Sequence, residues 1–357
     1  MNRFVMGLVV VGLGGCGSGD SITPPDCVPG DGKADSLGLA GFERVFTEAD
    51  GLGPLFNLTS CVGCHEDPAG GPGDEVELHA QGGDCTQLPG GPVFQTGITK
   101  RGLDAWGSGE VPPIGSTTAV RSSPGLFASG LIDRLTDEQI LSNVDLFDLN
   151  GDGVEGFASF LDDGRIGRFG RKAQVPTLRE FVAEAYRNEM GVTTEGFGDQ
   201  GPGGLAVPFG VDVAADPEVS DDEIEAVVEF IRNLRLPKNH LTPSKAGRHL
   251  FTSVGCATCH VPQMGFTDVL MHSLGEDGAD ICFSGVPTAY FRTEPLLGLR
   301  LKFGEGEGAG RFMHDGGAQG LEDAISRHGG EGSGARGRFN GLDPKDQEKL
   351  LEFLKGL

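Results

Sequence analysis

Apolar residues recur at helical spacing in four short stretches of the chain, and strand-like alternation is scarce. Phe42, Val45, Phe46 and Ala49 predict a helix, and Ala246 to Phe251 predict a second of the same kind. Ser220-Asp221-Asp222-Glu223 has the form of a capping box, in which a serine hydroxyl and a glutamate carboxylate satisfy the free amides of a helix start. The apolar face behind it is Ile224, Val227, Val228 and Ile231, and Leu236-Pro237 closes the element. Asp343-Pro344 opens a last helix carrying Leu350, Leu351, Phe353 and Leu354, whose expected place is against the Ala246–Phe251 helix. With 61 Gly and 21 Pro among 357 residues, these helices must be joined by long loops, and the predicted fold is mainly α.

The first two of these helices lead into related pentapeptides, Cys61-Val62-Gly63-Cys64-His65 and Cys256-Ala257-Thr258-Cys259-His260. Each reads as a c-type haem attachment site: two thiols add to the haem vinyl groups, and the adjacent imidazole ligates the iron. A structural zinc or a redox disulfide would also use two CxxC pairs, but neither needs the fifth residue. With 8 histidines in 357 residues, a histidine follows one CxxC by chance roughly 2% of the time and both roughly 0.05%. A helix ahead of each motif suits two cytochrome c-like haem domains with long Gly/Pro-rich loops, in which two covalently bound haem c groups supply apolar mass to thin cores.

Such attachment takes place outside the bacterial cytoplasm, and the N-terminus agrees. Met1-Asn2-Arg3, an apolar run from Phe4 to Leu13, and Leu13-Gly14-Gly15-Cys16 have the form of a lipoprotein signal. The apolar run, about 12 residues, is short of the roughly 20 that span a bilayer. The expected organisation is therefore a signal peptide over 1–15, a Gly/Pro/Ser-rich tether over 16–38 anchored by lipid at Cys16, and an N-terminal haem domain over 39–160. A connecting helical region over 161–240 and a C-terminal haem domain over 241–357 follow. The expected location is the periplasm-facing envelope or outer membrane of a Gram-negative bacterium. Lys+Arg 28 against Asp+Glu 52 gives a net charge of -24, which repels nucleic acid and favours a basic small redox protein as donor or acceptor.

Several longer segments carry a family resemblance. Gly53-Pro54-Leu55-Phe56-Asn57 through the first motif, Arg121-Ser122-Ser123-Pro124 to Leu131-Ile132-Asp133, and Lys172 to Leu178 resemble the bacterial di-haem oxidoreductase family. So do Glu189-Met190-Gly191-Val192-Thr193, Phe266-Thr267-Asp268 to Met271-His272, and Met313-His314-Asp315-Gly316 to Arg327-His328-Gly329-Gly330-Glu331. Members are often labelled thiol oxidoreductases, and the group is related to di-haem cytochrome c peroxidases and to the di-haem enzyme that matures methylamine dehydrogenase. The resemblance implies an oxidoreductase in which the second haem passes electrons to the first, where a small oxidant such as peroxide is reduced. This chain departs from the family at Arg171, where tryptophan is common, and at Asp133, where glutamate is common.

The sixth ligands decide between chemistry and simple electron carriage. His65 and His260 are the proximal ligands. The resemblance implies His328, 14 residues after His314, as distal ligand to the second haem, with His314 structural. His79, 14 residues after His65, can return to the first iron, and Met190 and His272 are alternatives from family-like segments. His240 and His249 read as surface residues. Asp133 and Glu110 are the carboxylates assigned to acid-base assistance beside an open iron. A non-catalytic carrier with both irons six-coordinate is the rival reading.

Asp148-Leu149-Asn150-Gly151-Asp152-Gly153 matches the first half of a calcium loop, with Asp148, Asn150 and Asp152 as oxygen ligands. The twelfth position is Ser159, so Asp162 or Asp163 would have to substitute. Among Cys27, Cys85 and Cys282, one pair is expected to form a disulfide, with the pairing open. Trp106, the lone tryptophan, is either a packed core residue or a relay between haems.

Overall fold

The computed structural model describes residues 34–66, 69–73, 75–83, 85–236, 244–275, 280–282, 286–303 and 311–357. The signal segment, Cys16, Cys27, Pro237 and His240 lie outside them. The described residues are 36% helical and 14% strand, so the expectation of a mainly α protein is overturned: the architecture is mixed α/β. None of the described helices is long and apolar enough to cross a membrane.

Two helix pairs organise two cores. Ala34–Glu43 packs on Asp221–Arg232, and Lys245–Ser253 packs on Pro344–Lys355. Both crossings use a glycine to bring backbones together. A Cβ on Gly38 would lie 2.2 Å from the Ala226 carbonyl oxygen, and one on Gly247 would lie 2.4 Å from that of Lys349. The capping box at Ser220 forms as the sequence predicts, and Ile224, Val227, Val228 and Ile231 are buried. This helix ends at Arg232 with Asn233 as its cap, earlier than Leu236. Asp343 caps the last helix by accepting from the amides of Lys345 and Asp346, and Leu350, Phe353 and Leu354 are buried. Fully burying side chains of this size contributes about 1.5–3 kcal/mol each.

The first predicted helix is displaced. It spans Ala34–Glu43, starting inside the expected tether and stopping before Val45, which is exposed. A hydrogen bond from the Thr47 hydroxyl to Asp50 at 2.5 Å and one from the Leu52 amide to the Thr47 carbonyl at 2.9 Å form a turn there instead. Phe46 still reaches the core, edge-on to Tyr186 with ring centroids 6.0 Å apart.

The strands escaped notice because the main sheet is inverted in polarity. Val76–Gln81 is its centre, antiparallel to Val93–Phe94 on one side and to Thr117–Ser122 on the other. Val76 and Val120 face solvent while His79, Gln81, Arg121 and Ser122 are buried. Hydrophobic alternation cannot report a sheet whose inward face is polar. The register sets Glu77 opposite Arg121 and His79 opposite Ala119. Two-stranded pairs complete the β content, among them Met271–Ser273 with Tyr290–Arg292. A disulfide joins Cys85 to Cys282, 197 residues apart, which resolves the open pairing.

Candidate functional site

The second pentapeptide follows Gly255, whose φ of 90° suits glycine. The chain then coils as a 3-10 turn, with the His260 amide bonded to the Cys256 carbonyl at 3.0 Å. His260 Nδ1 donates to the Phe266 carbonyl oxygen at 3.0 Å, so Nε2 carries the lone pair. His328, just past the helix Leu321–Ser326, is oriented in the same way: its Nδ1 donates to the Ala324 carbonyl at 2.7 Å. The two imidazoles face each other with centroids 6.4 Å apart and planes at 59°. Two imidazoles bound to one metal at nitrogen distances of roughly 2 Å would have centroids roughly 6 Å apart, so the spacing fits a shared ion. Burial, aided by His328, lowers His260 to about 4, and burial lowers His328 as well. Both rings are therefore neutral at pH 7, the form a metal takes. A largely apolar cavity of about 350 Å³ opens onto Cys256, Cys259, His260 and His328, with Phe251 and Phe312 among its walls.

The first pentapeptide begins a helical turn, Cys61–Cys64, capped by the Ser60 hydroxyl accepting from the Gly63 amide at 3.2 Å. His65 Nδ1 donates to the Pro124 carbonyl at 2.8 Å, again leaving Nε2 as the acceptor nitrogen. Burial lowers this histidine too. The ring beside it is Phe42, at 6.4 Å. Around Cys64 stand Glu189, Glu77 and Glu75, whose charges push its thiol up after burial does, to about 12.

The two nearer glutamates are driven apart. Burial would raise Glu77, but a hydrogen bond from His79 Nε2 at 3.0 Å, His79 itself, Arg121 and Arg171 outweigh it and lower the carboxyl. Burial, and then Glu77, push Glu189 well above the carboxylate range, although Asn57 donates to it at 2.9 Å. The two carboxyls are thus pushed in opposite directions, Glu77 toward the charged form and Glu189 toward the neutral one. His79 is buried, lowered by burial and by Arg121, and its Nδ1 has no hydrogen-bond partner among the described residues. Sequence reasoning missed Glu77 and Glu189: alternation in Val76–Gln81 would have marked a strand but assigned Glu77 to the solvent face, and nothing local points to Glu189.

Other assigned residues are committed elsewhere. Asp133 takes Arg232 Nε at 2.7 Å and the Leu178 amide at 2.9 Å, tying three helices together. Glu110 accepts the amides of Gln95 and Gly203 at 3.0 and 2.9 Å. In both residues each carboxylate oxygen is engaged in holding the fold. His272 is no iron ligand, because both its nitrogens bond carboxylates, Asp268 at 2.8 Å and Glu331 at 2.7 Å. Burial opposes its charge, but Asp268, Cys259 and Glu331 prevail and push it up to about 12. Met190 is buried in the main apolar core, against which Cys61 and Val62 also pack. Trp106 covers Gly201, where a Cβ would come within 2.6 Å of its ring, and it does not line the cavity. His314 stacks on Phe291 with centroids 4.1 Å apart, and His249 is exposed.

In the acidic loop, Asp148 accepts the Gly153 amide at 3.1 Å, Asn150 that of Asp152 at 2.9 Å and Asp152 that of Val154 at 3.0 Å. Ser159 is buried, and Asp163 pairs with Arg165 at 2.7 Å. Burial raises Cys61 and Cys256 to about 12. Burial leaves these two thiols in the neutral form, unlike the lowered thiols of reactive cysteines.

Residues 116–265 and 263–357 match the family described as di-haem oxidoreductase, putative peroxidase. The matched stretch contains the second pentapeptide, and the first precedes it. No curated protein and no solved structure matches the chain. With facing imidazoles beside one CxxCH, a second CxxCH of matching histidine geometry, and more than half its length matched, the chain belongs to the di-haem oxidoreductase family.

Proposed function

We propose that this protein is a c-type di-haem oxidoreductase whose two sites do different work. Cys61 and Cys64 would hold one haem with His65 as proximal ligand, and Cys256 and Cys259 the other with His260 and His328 on its two sides. Haem supplies one-electron storage and, where a coordination position is open, the reduction of a small oxidant such as peroxide. The observation that carries this reading is the unequal company of the two proximal histidines. His260 faces a second imidazole at 6.4 Å, whereas His65 has a phenyl ring beside it and an acid-base pair of glutamates close by.

Reduction of a peroxide consumes protons as well as electrons; Glu189, pushed toward its neutral form by burial and by Glu77, is the group disposed to carry one, while Glu77 accepts from His79. We assign the proton supply to Glu189 and the orientation of His79 to Glu77. Electrons would arrive from a small, basic redox protein drawn by the acidic surface. Export, lipid attachment at Cys16, and haem domains over 39–160 and 241–357 joined by 161–240 complete the proposal. Calcium in the Asp148–Asp152 loop is an independent part of it, removed by a calorimetric titration without heat.

One observation favours a non-catalytic carrier instead: buried His79 has a free Nδ1, a ligand in waiting for the first iron. The visible and paramagnetic resonance spectra of the purified protein separate the two readings. One high-spin and one low-spin haem are expected; two low-spin haems unresponsive to peroxide would establish the carrier. Fewer than two haems per chain by pyridine haemochrome would overturn both.

A further inference from the structure

Among the described residues, one wall of the second cavity carries more positive charge than its neighbours neutralise. Arg171 and Arg292 are held side by side, the Arg292 amide donating to the Arg171 carbonyl at 2.9 Å. Both guanidiniums reach the Glu294 carboxylate, at 2.7 and 3.2 Å. Lys302 belongs to the same cluster: burial, then Arg171, lower it to about 8 while Glu294 pulls it up, so it is charged at neutral pH. Among the described residues, Glu294 is the carboxylate in ion-pair contact with the two guanidiniums, and it acts on Lys302 without an ion-pair contact; Glu77 and Asp268 act on the guanidiniums from further away. Arg171, Arg292, Glu294 and Lys302 all line the cavity.

Buried charge is costly unless paired. The excess is also no reflection of composition, since the chain as a whole carries -24. A haem brings two carboxylate groups on one edge of an apolar ring, which is the complement of an apolar cavity with two surplus cations on one wall. We propose that Arg171, Arg292 and Lys302, spaced by Glu294, receive the two carboxylates of the second haem and turn that edge toward the first site. The orientation follows from Arg171, whose Nη2 donates to the Ser122 carbonyl at 2.7 Å. Two residues on, the Pro124 carbonyl holds His65, and Arg171 acts electrostatically on His65 and Glu77. This inference rests on the two-haem reading above.

The test uses the purified holoprotein, with haem per chain counted by pyridine haemochrome and the low-spin haem titrated by spectroelectrochemistry. In Arg171→Gln, loss of a cation should favour the oxidised form. At the parent midpoint the reduced-to-oxidised ratio should fall about ten-fold, equivalent to 59 mV for one electron. Glu294→Gln should move the ratio the other way, and Arg171→Lys should restore most of the parent value. Lys302 makes one long hydrogen bond, to the Arg311 carbonyl at 3.3 Å, so Lys302→Gln is the gentler variant and should shift in the same sense as Arg171→Gln. Opposite shifts for the cation and carboxylate variants support the anion site. Shifts in one direction, or none, with two haems per chain overturn it alone. Fewer than two haems in the parent protein instead sinks the reading on which it rests.

Discussion

The surroundings of the two pentapeptides differ more than the pentapeptides do. Both motifs end in a histidine whose Nδ1 is spent on a backbone carbonyl, Pro124 in one case and Phe266 in the other. Beyond that the resemblance stops. The second histidine looks across an apolar cavity at His328, which a short helix delivers in the matching tautomer. The first is bordered by Phe42 and by an antiparallel sheet one face of which carries Glu77, His79 and Arg121. On the two-haem proposal, the local motif would set what is held, while the residues brought to its far side would set what the held group can do.

The contrast can be broken at several points. The largest effect is expected from His328→Ala, which should convert the low-spin spectrum of the second site to high spin while His79→Ala leaves the first site's spin state unchanged. Loss of a low-spin signal in His79→Ala instead would make the two sites equivalent and remove the contrast. Next in size, His272→Ala would strand Asp268 and Glu331 as buried, unpaired carboxylates. Denaturant unfolding should then show a loss of about 3–5 kcal/mol, and a loss near zero would mean the histidine is uncharged. Because the folded value of His272 is raised, to about 12, its contribution is complete below its ordinary value of 6.5. It should decline as pH rises from there toward 12. The pH dependence of unfolding should flatten over that window in the variant.

Smaller effects probe the helix pairs that frame each site. Gly247→Ala forces a methyl against the Lys349 carbonyl and should cost about 1–3 kcal/mol, with Gly38→Ala similar in the other pair. A neutral result at one and not the other would show that only one crossing is tight. Ser220→Ala removes one half of a capping box and should cost about 1 kcal/mol by thermal unfolding.

Much of the helical frame was legible in the residues. Ser220 and Glu223 cap a helix with four buried aliphatics, and Asp343-Pro344 starts one that packs on Lys245–Ser253, because caps and 3.6-residue periodicity are local properties. The sheet was not legible, since the buried residues of its polar face are histidine, glutamine and arginine. Asp133 and Glu110 looked available because a sequence does not reveal which carboxylates are already committed. In the structure they are spent on Arg232 and on the Gln95 and Gly203 amides. Glu77 and Glu189 lie 112 positions apart in number, on a strand and a helix, and no spacing rule joins them.

By itself the sequence determined the two CxxCH motifs, the caps and the helix faces, for each of these depends on residues within a few positions of one another. Only the tertiary structure decided which histidine lies beside which, which glutamate is pushed toward its neutral form, and which of the spare cysteines pair. Those outcomes depend on burial and on charges supplied by remote segments. Such long-range terms are large inside a protein, where water no longer screens them, and they leave no trace in local spacing.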